Sequence, residues 1–79
     1  MAVGTELRDR RATRRERSAV DAHRRKARVS IAALADHLGE SDVWVWARIS
    51  DRSYQRLVML SDLRRIRAAI DEIVAEAKA

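Results

Sequence analysis

The residues of this chain that most clearly indicate a binding partner are its arginines, whose positive charge is unevenly distributed along the sequence. Of the 79 residues, positions 1–28 hold ten Lys and Arg against four Asp and Glu, a net charge of +6, whereas positions 29–79 hold seven against eight, a net charge of −1. Most of these cations are arginine, which binds phosphate in a forked geometry better than lysine does. A localised basic segment is typical of a protein that binds a polyanion such as DNA or RNA. The alternative is a solvated helix face.

The phosphate-binding candidates that this charge pattern indicates are the arginines of the N-terminal third: Arg10, Arg11, Arg14, Arg15, Arg24, Arg25 and Arg28. Residues 1–12 carry few apolar side chains, and we expect a basic, flexible arm there. The arm then adds phosphate affinity or enters a minor groove.

Other chemistries lack the residues they need. The chain has no cysteine, and His23 and His37 stand alone, without metal-ligand spacing or a carboxylate partner at useful range, so we expect solvated or capping histidines. No Ser/His/Asp set, glycine-rich phosphate loop or pair of catalytic carboxylates is visible. The sequence therefore predicts a protein that is not an enzyme and uses no cofactor, metal or small-molecule substrate. No apolar run approaches the roughly 18 residues of a membrane helix, which predicts a cytoplasmic protein without a membrane partner.

The elements that position this chemistry centre on residues 30–52. Ser30 is a good N-cap, and Gly39 follows at the position where a helix ends in a left-handed residue. Ser41 caps the next helix, whose inward residues are Val45 and Ile49. A helix-turn-helix also needs a small residue where its two helices cross, and the alanine at position 35 meets that need. The same face of the first helix carries Ile31, Leu34 and Leu38.

The flanking segments complete an all-helical domain. Thr13 and Glu16 form a capping box that predicts a helix to about Arg28, although a start near Thr5 is also compatible with the sequence. Residues 51–60 form a connector, extended or briefly helical. The sequence thus predicts an all-α fold, a compact four- to five-helix domain over residues 13–79 with a central helix-turn-helix at 30–50. A long last helix, opened by Ser61 and Asp62, has apolar residues spaced by three and four: Leu63, Ile66, Ile70, Ile73 and Ala77.

The last helix admits two interpretations. Its first apolar residues are expected to pack on the helix-turn-helix core. The added turn with Ile73, Val74 and Ala77 then overhangs the core, and dimerisation through this end is left open.

With these elements in place, the chain resembles the Cro/repressor-type helix-turn-helix family of small phage and actinobacterial regulators. LADHLGES is similar to its L-A-x-x-L-G-x-S core, WVWARIS to a version of its second helix, and LSDLRRIRAAI to the helix that follows. The resemblance covers roughly residues 18–73. It implies a recognition helix over residues 41–50 in the major groove of double-stranded DNA. The groove-facing residues it implies are Ser41, Asp42, Val43, Trp46, Ala47 and Ser50, with Arg48 and Arg52 on phosphates.

Three residues depart from the family pattern. Glu40 stands where an aliphatic residue is usual, Asp42 where Gln or Arg is common, and Asp51 where glycine is frequent. A carboxylate accepts from the amino group of cytosine but repels phosphate. Trp44 and Trp46 point to nearly opposite sides of a helix, so one is expected at the core edge and the other partly exposed.

The sequence thus predicts a transcription regulator of the phage or prophage type that binds operator DNA. Two alternatives stay open. One is an excisionase-like architectural protein, for which residues 53–60 are the only candidate wing and lack glycine. The other is an antirepressor-like interaction module that has kept the fold and lost the DNA face, for which Glu40, Asp42 and the two tryptophans argue.

Overall fold

The computed structural model describes residues 9–53 and 57–79, and residues 1–8 and 54–56 lie outside the described residues. Four helices form in the described part: α1, Arg14–Ala27; α2, Ile31–Leu38; α3, Asp42–Ile49; and α4, Leu60–Lys78. No strand forms there, and the one β feature is an isolated antiparallel bridge between Arg11 and Met59. The predicted all-α class, with four to five helices and a long last helix, is confirmed.

N-cap residues set the starts of the first three helices, as the sequence predicts. The Thr13 side chain accepts from the Glu16 backbone N–H, and the Glu16 carboxylate accepts from the Thr13 N–H, which completes the capping box. Ser30 and Ser41 cap α2 and α3 through their hydroxyl oxygens, at 3.0 Å from the N3 nitrogens. Each cap satisfies a backbone donor that a helix leaves unpaired at its start.

The turn between α2 and α3 depends on Gly39. Its φ is +70°, a left-handed conformation that side-chain-bearing residues adopt at a cost. The next residue, Glu40, donates its N–H to the Ala35 carbonyl at 2.9 Å, which ends α2 in a closed turn. Ala35 itself is buried. The predicted left-handed turn at Gly39 is confirmed.

The core lies between α4 and the other three helices, each of which packs against it. Leu34 of α2 and Val45 and Ile49 of α3 are almost completely buried, together with Leu63, Ile66 and Ile70 of α4. The expected core packing of α4 is therefore confirmed for these three positions. Its last turn is different, since Ile73 and Val74 are half-buried and Ala77 is exposed.

The described end of the N-terminal arm differs from the expected flexible segment. The Ala12 N–H donates to the Val58 carbonyl at 2.7 Å, and the Leu60 N–H donates to the Arg10 carbonyl at 2.8 Å. The Asp9 carboxylate accepts from the Ser61 backbone N–H at 2.9 Å and from its hydroxyl at 2.6 Å. Residues 9–12 are thus paired with the connector.

This pairing also corrects the start of α4. The helix begins at Leu60 rather than at Ser61 or Asp62, and Met59 at its N-cap provides no side-chain bond. The carboxylate of Asp9 caps the helix from 52 residues away, and its hydrogen bonds from Ser61 lower the pKa of Asp9. The connector is extended over the described residues 57–59, and its valine is buried.

Candidate nucleic-acid interface

The outer face of α3 is the surface that the sequence predicts to face DNA. Val45 and Ile49 turn inward, which leaves Val43 73% exposed and Trp46 41% exposed on the opposite side. Asp42 is exposed beside them, and Ala47 is half-buried. The helix thus presents a mixed apolar and acidic face, with no arginine among the three exposed side chains.

The two serines among the predicted groove-facing residues also stabilise the ends of α3. Ser41 is the N-cap of α3, and its hydroxyl accepts from the Trp44 N–H. Ser50 ends the helix, and its hydroxyl accepts from the Arg52 N–H at 3.2 Å. Ser41 is exposed and Ser50 is half-buried.

Arg17 holds the C-terminal end of α3 and was not among the predicted site residues. Its guanidinium donates to three backbone carbonyls at this end: Arg48 at 2.9 Å, Ala47 at 3.0 Å and Ser50 at 2.9 Å. It also donates to the Ser53 hydroxyl at 3.0 Å. A cation here satisfies orphan carbonyls and complements the negative end of the helix dipole.

Burial of this guanidinium lowers the pKa of Arg17, while the nearby Asp51 carboxylate opposes that shift. A signal for its role exists in the sequence, because Arg17 lies one turn before the buried Val20 on α1 and therefore faces inward.

The two tryptophans of α3 occupy contrasting environments, as their spacing predicts. Trp44 is half-buried, and its ring lies under the guanidinium of Arg48, 4.0 Å from the ring centroid, with the Arg65 guanidinium at 5.4 Å. Arg48 also pairs with Asp62 at 3.0 Å and donates to the Trp44 carbonyl at 3.1 Å. Arg48 is therefore engaged with the protein itself, unlike the phosphate contact that the family resemblance implies.

The predicted phosphate-binding arginines fall into two sets. We call Arg10, Arg24 and Arg48, together with Arg17, the bound arginines. Arg10 makes two hydrogen bonds of 2.8 Å to the Glu16 carboxylate. Arg24 pairs with Asp21 at 3.0 Å and donates to the Val29 carbonyl at 2.9 Å. The hydrogen bonds that Glu16 accepts, from Arg10 first and then from the Thr13 N–H, lower the pKa of Glu16 to about 2.

The exposed arginines form the other set. Arg11, Arg15, Arg28 and Arg52 are exposed and make no ion pair within residues 9–53 and 57–79. Two more stay open to solvent despite a carboxylate neighbour: Arg25, 3.0 Å from Asp21, and Arg14, 3.6 Å from Asp51.

Three of these cations, Arg14, Arg25 and Arg52, lie beside the C-terminal end of α3, whereas Arg28 does not. A groove of about 530 Å³ separates α1 from the C-terminal half of α3, and Arg25 and Arg52 line it together with Trp46. The Arg14–Asp51 pair spans the same two elements. Arg28, whose φ of +60° ends α1, instead lines a hollow under the last turn of α4, with Ile73 and Val74.

The histidines are not isolated, and that expectation is wrong. His23 Nε2 lies 2.7 Å from the Asp71 carboxylate, and His37 Nε2 lies 2.8 Å from the Glu72 carboxylate. The partners lie 48 and 35 residues away, a distance that local spacing does not predict. These pairs tie α1 and α2 to the middle of α4.

Two further findings concern the described residues as a whole. None of their helices is both long and apolar enough to cross a membrane. None of their His, Asp and Glu side chains form a group of three that could hold a metal ion.

Comparison with known proteins finds no family model, no curated protein and no solved structure that matches this chain significantly. The resemblance to the Cro/repressor-type family therefore stays a prediction.

Proposed function

We propose that this chain binds double-stranded DNA with the outer face of α3 in the major groove and its exposed arginines on phosphates. The main observation behind the proposal is that the two faces of α3 differ. Its inner face is buried and its C-terminal end is held by Arg17, while Val43 and Trp46 on its outer face are left to solvent. A short helix held rigidly from behind suits insertion into a groove.

Electrostatics supports the same proposal. Arg25 and Arg52 line the groove beside Trp46, and Arg14 reaches the same side of α1. Cations that flank a recognition helix position a protein on the phosphate backbone, and base contacts then give specificity. The net charge of +5 acts in the same direction. With the family resemblance, this supports a transcription regulator of the phage or prophage type.

The test is a gel shift with random duplex DNA over a series of salt concentrations. An Arg25→Gln/Arg52→Gln variant is expected to weaken binding and to reduce the slope of log affinity against log salt by about two. The matched control is Arg64→Gln/Arg67→Gln. These arginines line a hollow between α1 and α4 to which α3 contributes no residue. The control is expected to keep the wild-type slope, and equal slopes for the two variants would contradict the proposal.

The exposed apolar residues Val43 and Trp46 beside Asp42 also favour a second candidate function, a protein-interaction module on the same fold. This candidate predicts no duplex binding even at low salt. The architectural alternative gains no such support. Residues 54–56 of its candidate wing lie outside the described residues, and residues 58–60 pair with residues 10–12.

A further inference from the structure

The outer face of α3 carries a shallow notch that no arginine lines. Four residues surround its volume of about 350 Å³: Ile31 from the start of α2, and Asp42, Val43 and Trp46 from α3. Three of them offer apolar surface and the fourth offers a carboxylate. Among the described residues, the Asp42 side chain makes no hydrogen bond or ion pair, so its oxygens are available as acceptors.

The major-groove edges of the bases differ in how they meet such a lining. Guanine presents two acceptors and thymine presents O4, all of which a carboxylate repels. Adenine presents a donor beside the acceptor N7. Cytosine alone presents its N4 amino donor next to a C5 carbon that carries no polar atom. An acceptor beside apolar surface is therefore complementary to cytosine.

The apolar side chains of the notch can also contact a methyl group on the cytosine base. A methyl group on C5 of cytosine lies directly beside the N4 amino group, in the position of the thymine methyl. Ile31, Val43 and Trp46 form a notch in which that methyl loses contact with water, and burial of apolar surface stabilises the complex. Thymine has the methyl without the donor, and unmodified cytosine has the donor without the methyl.

We infer that this notch recognises the major-groove edge of cytosine in duplex DNA, and binds it more tightly when C5 carries a methyl group. The inference rests on the proposed function, because it requires the outer face of α3 to enter the major groove. Asp42 accepts from the N4 amino group, and Val43 with its apolar neighbours contacts C5 or its methyl. Both are specificity-determining residues.

The experiment starts from duplexes recovered from a randomised library by repeated cycles of binding to the full chain. In a recovered duplex, each pyrimidine is replaced in turn by cytosine, 5-methylcytosine, thymine or uracil, each with its matching purine. At one position or more, 5-methylcytosine is expected to bind about fourfold more tightly than cytosine. Uracil is expected there to bind between about fivefold and a hundredfold more weakly than cytosine, and thymine correspondingly more weakly than 5-methylcytosine, because each pair differs in the donor and not in the methyl group.

Two variants separate the two contacts. Val43→Ala is expected to reduce the gain from methylation and to keep the preference for cytosine over uracil. Asp42→Asn is expected to lose that preference, since an amide both donates and accepts. Leu57→Ala, which shortens another largely exposed aliphatic side chain, is the control and is expected to change neither. Circular dichroism checks that each variant retains its helices.

The outcomes distinguish this inference from the proposed function. Recovered duplexes that bind equally well with all four pyrimidines at every position overturn the inference and leave DNA binding intact. The same holds if both variants keep the wild-type preferences. Failure to retain any duplex at low salt overturns the proposed function, and the inference with it.

Discussion

The bound arginines and the exposed arginines are the same residue type, often one helical turn apart, yet the bound set makes hydrogen bonds and ion pairs within the fold that most of the exposed set lacks. Arg17 donates to three carbonyls at the end of α3, whereas Arg15, two residues earlier on α1, is exposed. Arg48 contacts the Trp44 ring and forms an ion pair with Asp62, whereas Arg52 lines an open groove. Some cations of this chain therefore bind groups of the fold, and others stay open to solvent, where we propose that they contact DNA phosphates. Substitutions should separate stability from DNA affinity along this division.

The largest expected effect concerns Arg17. Arg17→Met leaves the carbonyls at the end of α3 without their donor, and we expect a loss of about 2–3 kcal/mol in the free energy of unfolding. Arg15→Met, the control on the same helix, should change stability by less than about 0.5 kcal/mol. Urea denaturation followed by circular dichroism measures both. Equal losses would show that the two arginines do not differ as described.

A smaller effect is expected for Arg48. Arg48→Met removes an ion pair with Asp62, a hydrogen bond to a carbonyl and a contact with the Trp44 ring. Because these groups are partly exposed, we expect a loss of only about 1–2 kcal/mol. Arg52→Met should leave stability unchanged and weaken DNA binding. The comparison fails if Arg52→Met destabilises the fold as much as Arg48→Met does.

The smallest expected effect depends on pH and concerns Arg10. The folded-state pKa of Glu16 is about 2, below its ordinary value of 4.5, so the Arg10–Glu16 pair stabilises the fold above that ordinary value. The contribution is lost as the pH falls from about 4.5 towards about 2. Glu16→Gln keeps the capping-box geometry without the charge. Melting temperatures between about pH 5 and 2 should fall more steeply for wild type than for the variant, and parallel curves would contradict this.

Local signals made much of the fold predictable. The caps at Thr13, Ser30 and Ser41 and the turn at Gly39 each depend on residues no more than five positions apart. The periodicity of α4 likewise predicts its buried face. These features follow from backbone geometry and need no knowledge of the rest of the chain.

Contacts between distant segments were not predictable. Asp9 caps a helix that begins 51 residues later, and Arg17 reaches carbonyls more than 29 residues away. His23 finds Asp71 only because α1 packs on α4. Sequence patterns identify a charged residue but not its partner across the fold. Helical periodicity made the outer face of α3 and the inward direction of Arg17 predictable, but it did not identify the groups that the bound arginines contact.

The central claim is that the outer face of α3 contacts DNA, and its two tryptophans allow a direct measurement. Trp44→Phe leaves Trp46 as the only tryptophan, and Trp46→Phe leaves Trp44. Fluorescence is recorded for each variant during titration with duplex DNA at low salt. The account predicts that the emission of Trp46 changes on binding, while that of Trp44, which is half-buried and contacted by the guanidinium of Arg48, does not. Binding that perturbs Trp44 and leaves Trp46 unchanged would contradict it.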